Sequence, residues 1–419
     1  VFGGEVQKGF FQVVSPETFI GLLKDFPALA QTSVPLHDAA GRILASDVTA
    51  AEDLPMVNRS CMDGYAVNAR DAFGASESNP AYLECRGSLS IDEQPSAPLS
   101  RGDCVGIVTG GTLPEGADAV VMVEHTQELG AGTIEFRKSV APGDNVMQRG
   151  EDARAGQPAL TAGTPLRPQE VGLLAALGVS EVPVRKRPRV GLISTGDELI
   201  PVTDTPRPGQ IRDVNSYALG ALVRTAGGVP TLYGLVRDDE ASLAAAIKQG
   251  VEENDVVLIS GGSSIGVRDL TQAAIEELPD AQVLAHGVAV SPGKPTILAR
   301  AGSTAVWGLP GQVTSAQVVM HVFGLPFLRH IAGDGDAFAP RRRSVRRATL
   351  GRNIASKQGR EDYVRVRLET REDGASIATP VLGKSGLLRT MLRADGLVRI
   401  PADTEGLFEG HPVDVWLLN

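Results

Sequence analysis

Between Arg189 and about Ala332 the chain alternates short apolar runs with longer amphipathic ones, a rhythm that few folds accommodate. Val190-Gly-Leu-Ile reads as a buried strand, residues 214–226 as a helix closed by Gly227-Gly228, and residues 231–236 as the next strand. A helix over 240–251 and a strand over 256–259 follow, then a strand at Ala305-Val-Trp-Gly and a helix from Thr314 through His330. Strands covered on both faces lose polar alternation, so apolar runs separated by helices predict a doubly wound parallel or mixed sheet. Ligands of such sheets bind beyond the carboxyl ends of the strands.

The most informative of those strand ends is Leu258-Ile-Ser-Gly-Gly-Ser-Ser-Ile-Gly-Val-Arg-Asp269. An apolar run stops at glycines and hydroxyl residues, and a helix is expected to start near Asp269 with Leu270, Ala273, Ala274 and Leu278 on its buried side. Gly261 and Gly262 let backbone N–H groups approach an anion, and Ser263 and Ser264 can donate further hydrogen bonds. The same Gly/Ser pattern also closes ordinary βα units, so a structural turn stands beside the phosphate cradle as a reading.

Other strand ends should converge on the same edge: Ser194-Thr-Gly-Asp-Glu198, Arg237-Asp-Asp239 and Gly308-Leu-Pro-Gly-Gln312. The segment His286-Gly-Val-Ala-Val-Ser-Pro-Gly-Lys-Pro295 adds a lysine held between glycine and proline. Glu198, Asp238 and Asp269 are acidic, whereas the Gly/Ser loops and Lys294 favour an anion. A phosphate and a carboxylate ~4 Å apart repel by about 4 kcal/mol at an effective dielectric near 20. A divalent cation between them removes that conflict, and hard oxygen ligands with phosphate suggest Mg²⁺. Each carboxylate taken singly has a capping role as its alternative, Asp269 at a helix start above all.

The rest of the chain differs in texture. Ser15-Pro16-Glu17 reads as an N-cap with proline at the first helical position. From about 48 to 150, short apolar runs broken by Gly, Pro and Asp predict mostly β structure, with strands at Cys104-Val-Gly-Ile-Val and Ala119-Val-Val-Met-Val-Glu. Pro168 to Gly178 reads as a helix with a C-cap glycine, and the residues after Arg347 are strand-like again. A length of 419 residues suits about three domains. No apolar run reaches the ~18 residues of a membrane span, and no basic stretch with an apolar core opens the chain. A cytoplasmic protein is the expectation, and Val1 in place of an initiating methionine leaves room for residues upstream. Cys61, Cys85 and Cys104 are widely spaced and no zinc spacing occurs. A net charge of −10 argues against nucleic-acid binding, with the arginines of 341–347 read as a solvated linker.

In the β region, Asn58-Arg-Ser-Cys-Met-Asp-Gly-Tyr-Ala66 places Asp63 in a tight turn, and Thr109-Gly-Gly-Thr-Leu-Pro-Glu-Gly-Ala-Asp118 is a second glycine-rich loop. An Asx turn at Asp63 and a strand end at Thr109 are the local alternatives. Met62-Asp-Gly-Tyr-Ala, Thr109–Val120, Gly150-Glu-Asp, Ser194-Thr-Gly-Asp-Glu-Leu, Ser260-Gly-Gly, Pro292-Gly-Lys-Pro and Gly308-Leu-Pro-Gly occur in this order. That series resembles the molybdopterin molybdenumtransferases, similar to MoeA and the E domain of gephyrin, over nearly the whole chain.

The resemblance implies four subdomains. They are a helical linker domain over 1–47 and 151–187, an elongated mostly-β domain over 48–150, an α/β molybdopterin-binding domain over 188–335, and a small C-terminal β domain over 336–419. It also implies a homodimer with the active site between subunits, and a transient contact with an upstream molybdopterin adenylyltransferase. Such enzymes take adenylylated molybdopterin and molybdate, cleave the phosphoanhydride with Mg²⁺ and release AMP, leaving the metal on the dithiolene. Carried over, Asp63, Thr109, Glu198, Asp238, Asp269 and Lys294 become the catalytic candidates, with Glu198, Asp238 and Asp269 toward the cation. Ser194, Thr195, Gly196, Gly261, Gly262, Ser263, Ser264, Pro292, Gly293, Pro310, Gly311 and Ser315 become the binding candidates. Two positions depart from the pattern: Ser291 replaces a basic residue, and Gly311-Gln-Val-Thr-Ser-Ala316 lacks a proline of the family turn. A tungstate-inserting relative is therefore one alternative, and a non-catalytic scaffold that binds protein partners is another.

Overall fold

The computed structural model describes residues 13–261, 265–372 and 374–418, with residues 265–269 described by their backbone alone. The chain divides into two compact units: residues up to Ser33, Gly41–Ala45 and Pro183 onward form one, and Val34–Ala40 with Ser46–Val182 the other.

The larger unit contains the alternating region. Its elements are β1 (Arg189–Thr195), α1 (Asn215–Thr225), β2 (Val229–Val236), α2 (Glu240–Glu253), β3 (Val256–Ser260), α3 (Ile265–Glu276), β4 (Ala281–His286), β5 (Ile297–Ala301), β6 (Thr304–Leu309) and α4 (Val313–Val319). The helix of α4 continues through a wider turn at Met320–Gly324 into Leu325–Ile331. Strand order is β2-β1-β3-β6-β5-β4. β2, β1, β3 and β6 are parallel, β5 runs against β6, and β4 runs against β5. The sheet is thus mixed and doubly wound.

Period-two alternation fills both faces. Val190, Leu192 and Leu258 pack with Leu219, Val223, Trp307, Phe323 and Phe327 on one side. Ile193, Val257 and Ile259 pack with Leu243, Ile247, Ala274 and Ile275 on the other. The helix Pro16–Lys24 docks on the first face through Phe19 and Leu23, both fully buried. Phe19 meets the Trp307 ring edge-on at 5.5 Å and the Phe323 ring at 5.1 Å. Side chains of this size each contribute roughly 1.5–3 kcal/mol on burial. The expected cap is present: the Ser15 hydroxyl accepts from the Thr18 N–H at 3.1 Å.

α3 begins at Ile265, earlier than the sequence suggests. Gly266 and Val267 are weak helix formers, but Thr271, Ala274, Ile275 and Leu278 form a buried stripe at helical spacing that holds the element in place. Asp269 therefore lies inside the helix and is not its cap.

The C-terminal part of this unit is a six-stranded sheet that includes Val345–Leu350, Glu361–Thr370, Ser376–Pro380, Gly396–Ile400 and Pro412–Leu417. Its sixth strand is Val290–Ser291, which pairs in parallel with Glu361 and Asp362. The connection between β4 and β5 is therefore tied into a second sheet. The other unit centres on a six-stranded sheet ordered Ala119–Met122, Gly64–Val67, Asp103–Ile107, Ala81–Leu89, Thr133–Phe136 and Thr126–Gly130. Leu83, Cys104, Val121, Ile134 and Phe136 form its core. The expected helix Pro168–Ala176 follows.

Candidate functional site

Chain order and strand order disagree at one place. β1 leads to β2 at the sheet edge, and the chain then returns to place β3 on the other flank of β1. The carboxyl ends of β1 and β3 thus bound the crevice of a topological switch point. Those ends are Ser194-Thr195-Gly196 and Ser260-Gly261. The 3.6-period helices that follow diverge to opposite faces of the sheet and leave the crevice open. The ends of β2 and β6, and the turn from β4 to β5, lie along the same edge by register.

Gly261 is required there by space. A Cβ on it would lie 2.2 Å from the Thr195 carbonyl oxygen and 2.4 Å from the Thr195 methyl. Gly311 approaches from β6, where an added Cβ would sit 3.4 Å from Gly261 carbon. Two cavities flank these backbones. One of about 500 Å³ is bounded by Thr195, Glu198, Asp213, Asn215, Gly261 and Gln312 among others. The second, about 280 Å³, is bounded by Gly261, Thr271, Pro310, Gly311, Gln312 and Ser315.

A hydroxyl network underlies the first cavity. The Ser194 Oγ lies 3.1 Å from the Ser260 Oγ, 2.9 Å from the Ser216 Oγ, and 3.1 Å from the Asp213 Oδ1, to which it donates. The same Asp213 oxygen accepts from the Ser216 N–H at 3.1 Å. Both Ser194 and Asp213 are buried. Beside them the Thr195 hydroxyl donates to Asp238, and Asp239 caps α2 by accepting from the Ser242 N–H at 2.9 Å. Asp238 is thereby left for Thr195 while its neighbour serves the helix. Glu198 is exposed on the rim. Asn215 donates from Nδ2 to the Gly311 carbonyl at 2.9 Å and ties α1 to the β6 loop.

Lys294 is exposed in the turn between β4 and β5. The turn is rigid: the Thr296 hydroxyl donates to the Gly293 carbonyl at 2.7 Å, and the Val288 N–H to the Lys294 carbonyl at 2.9 Å. Gly293 has φ +122°, and a Cβ there would strike Val319 at 2.5 Å, so Pro292 and Lys294 flank a position that excludes a side chain. From the C-terminal sheet, Arg365 donates to the Thr390 hydroxyl at 2.9 Å and the Gly383 carbonyl at 3.1 Å. That pins a segment whose Ser385 carbonyl accepts from the Thr314 N–H at 3.1 Å and whose Gly386 and Leu388 border the larger cavity.

In the other unit, two candidates separated by 46 positions meet. Asp63 Oδ1 accepts from the Thr109 N–H at 2.7 Å and the Thr109 hydroxyl at 2.9 Å. These bonds, the backbone one foremost, hold the Asp63 carboxyl below its ordinary range, so the exposed group stays ionised. An added Cβ at Gly64 would fall 2.0 Å from the Val121 carbonyl, which explains the Asp-Gly pair.

The structure places Ser194, Thr195, Gly196, Glu198, Asp238, Gly261, Pro292, Gly293, Lys294, Pro310, Gly311 and Ser315 along one sheet edge. Gly262, Ser263, Ser264 and the Asp269 side chain lie outside the described residues. Among the described residues, no three His, Cys, Asp or Glu side chains assemble as a metal-holding group. Mg²⁺ in phosphate-handling sites takes only one or two carboxylates, with the substrate's phosphates completing its shell. Glu198 on the rim of the larger cavity and Asp238 beside Thr195 are oxygen donors of the kind such a cation takes. Asp213 and Asn215 escaped sequence reasoning because Asp-x-Asn-Ser before a helix reads as capping, a task Asp213 also performs.

The fold defines a doubly wound α/β domain joined to two β-rich portions. The chain matches the MoeA N-terminal region (domain I and II) over residues 14–178, a probable molybdopterin binding domain over 191–330, and the MoeA C-terminal region (domain IV) over 347–418. It is 36% identical over 393 residues to a putative molybdopterin biosynthesis protein of Methanocaldococcus jannaschii, covering 92% of each chain. It is 34% identical over 389 residues to the molybdopterin molybdenumtransferase of Bacillus subtilis, covering 92% of this chain and 89% of that one. A crystal structure of the molybdopterin biosynthesis moeA protein of Pyrococcus horikoshii matches with a TM-score of 0.80 at 31% identity, covering 97% of this chain and 100% of that one. The chain belongs to the MoeA family.

Proposed function

We propose that this chain acts in molybdenum cofactor biosynthesis as a molybdopterin molybdenumtransferase, a transferase that accepts adenylylated molybdopterin and molybdate and releases AMP. The observation that carries this reading is the switch-point crevice, where two glycine-lined backbones and a hydroxyl network stand beside acidic side chains. An anionic substrate can enter such an edge only with its charge balanced, which Lys294 and a divalent cation at Glu198 and Asp238 would supply. Mg²⁺, when bound, neutralises charge on the phosphoanhydride as it breaks.

The residues of the chain have separate tasks in this reading. The backbone at Gly261 and Gly311 lets the phosphate end of the pterin approach closely, with Ser194 and Thr195 holding the strand ends in register. Lys294, on its rigid turn, faces anionic oxygens. Glu198 and Asp238 offer oxygens to the cation; the Thr195 hydroxyl fixes one Asp238 oxygen and leaves the other for this purpose. Asp63 and Thr109 serve the nucleotide or metal from a partner subunit, in keeping with the homodimer that the family resemblance suggests.

Incubating the purified protein with adenylylated molybdopterin, molybdate and Mg²⁺ tests the reading. AMP should appear only when all three are present, and its appearance without molybdate and Mg²⁺, or its absence with them, would contradict it. Replacing molybdate by tungstate in the same assay measures what Ser291 and the Gln312 turn do to oxyanion choice.

A further inference from the structure

The larger cavity has two acceptor atoms that the fold does not use. Asp213 lines it at 5% exposure, and both hydrogen bonds from Ser194 and Ser216 go to Oδ1. No described residue donates to its Oδ2. Asn215 lines the same cavity, and its Oδ1 is buried without a partner among the described residues. The amide cannot be turned over to relieve this. Its Nδ2 donates to the Gly311 carbonyl at 2.9 Å, and a flip would set two acceptor oxygens against each other. A buried acceptor without a donor is destabilising, and a ligand N–H can remove that cost.

Asp213 and Asn215, two positions apart in the wall of one cavity, each offer an acceptor, a pattern that two adjacent donors on a ligand would match. A 2-amino-4-oxopyrimidine edge offers such a pair, a ring N–H next to an amino N–H. Adenine does not, because its amino group stands next to a ring nitrogen that itself accepts. The cavity is also walled by Val313, Leu388 and Ile211, which suits a flat heterocycle.

We infer that Asp213 and Asn215 read the amino-pyrimidinone edge of the pterin and so select which end of the substrate enters the switch-point cavity. This rests on the substrate class proposed above. Both residues act on specificity, and neither touches the bond that breaks.

The test is a fluorescence titration of the full chain with pterin and with lumazine, which has a carbonyl in place of the amino group. Pterin should bind at least about tenfold more tightly, the scale on which a hydrogen-bonding site rejects an analogue that cannot pair with it. AMP should not displace it. In Asp213→Asn and in Asn215→Leu the preference should fall to within about threefold. Loss of overall affinity with the preference intact in both variants would mark a merely structural role and overturn the inference. Equal binding of the two ligands to the unaltered protein, or binding of neither, would overturn it as well. AMP release with no preference for pterin would sink this inference alone, whereas a tenfold preference without AMP release would support it and sink the enzymatic reading.

Discussion

Asp213 and Asp63 solve the same local problem in opposite surroundings. Each spends one carboxylate oxygen on a neighbouring turn, Asp213 on Ser194 and Ser216, Asp63 on the N–H and hydroxyl of Thr109. Asp213 does so inside the crevice of the α/β sheet at 5% exposure, and Asp63 on the exposed surface of the other unit. Burial makes the first a rigid part of the fold whose remaining oxygen is presented to a ligand. Exposure leaves the second solvated, with its ionised form held by the Thr109 N–H and hydroxyl.

Removing each group separates the two cases. Asp213→Ala strips a buried hydrogen-bond network of its common acceptor and should lower the free energy of unfolding by about 3 kcal/mol in urea titrations. An unchanged urea midpoint would place Asp213 outside the scaffold. A third titratable group extends the comparison. Burial, aided by the Arg329 charge, depresses the His321 pKa to about 4. The folded state keeps the ring neutral while the unfolded chain protonates it near its ordinary value of ~6.5. The stability this confers is present above that value and lost as pH falls toward 4, by roughly 2–3 kcal/mol. His321→Gln should flatten the unfolding free energy across this window, and an unaltered slope would refute the assignment. Asp63 also has a lowered pKa, so its contribution is present above the ordinary carboxylate range and fades only in stronger acid. Asp63→Asn keeps an acceptor for Thr109 but loses this charge-dependent contribution, so the unfolding midpoint at neutral pH should fall only slightly, while AMP release falls markedly.

The same contrast explains what the sequence disclosed. The α/β sheet was legible because strands buried on both faces have no polar alternation, as Val256–Ile259 illustrates, and the helices between them keep a 3.6-residue stripe. Convergence of the Ser194, Asp238, Gly261 and Pro310 segments followed from strand direction alone, whereas Lys294 reaches the edge through the antiparallel β4 and β5, which the sequence reading did not separate. The pairing of Val290–Ser291 with Glu361 and Asp362 was not legible, since two residues set no period and the partner lies about seventy positions away. Nor was the start of α3, where packing of Thr271, Ala274 and Ile275 outweighs the poor propensity of Gly266. The resemblance singled out Asp63 and Thr109 separately; their direct hydrogen bonding was not legible, because each residue alone is an ordinary turn or strand end. Asp213 was hidden by doing two jobs, of which sequence shows only the cap.

The exposed carboxylates are thus assigned to the reaction, and the buried Asp213 to the fold and to substrate recognition. Rates of Mg²⁺-dependent AMP release from adenylylated molybdopterin, measured for the unaltered protein, Glu198→Ala and Asp63→Ala, test this assignment most directly. Glu198→Ala should unfold at the parental urea concentration and Asp63→Ala slightly below it, and both should lose about a hundredfold in rate. Parental rates in both variants would contradict the account.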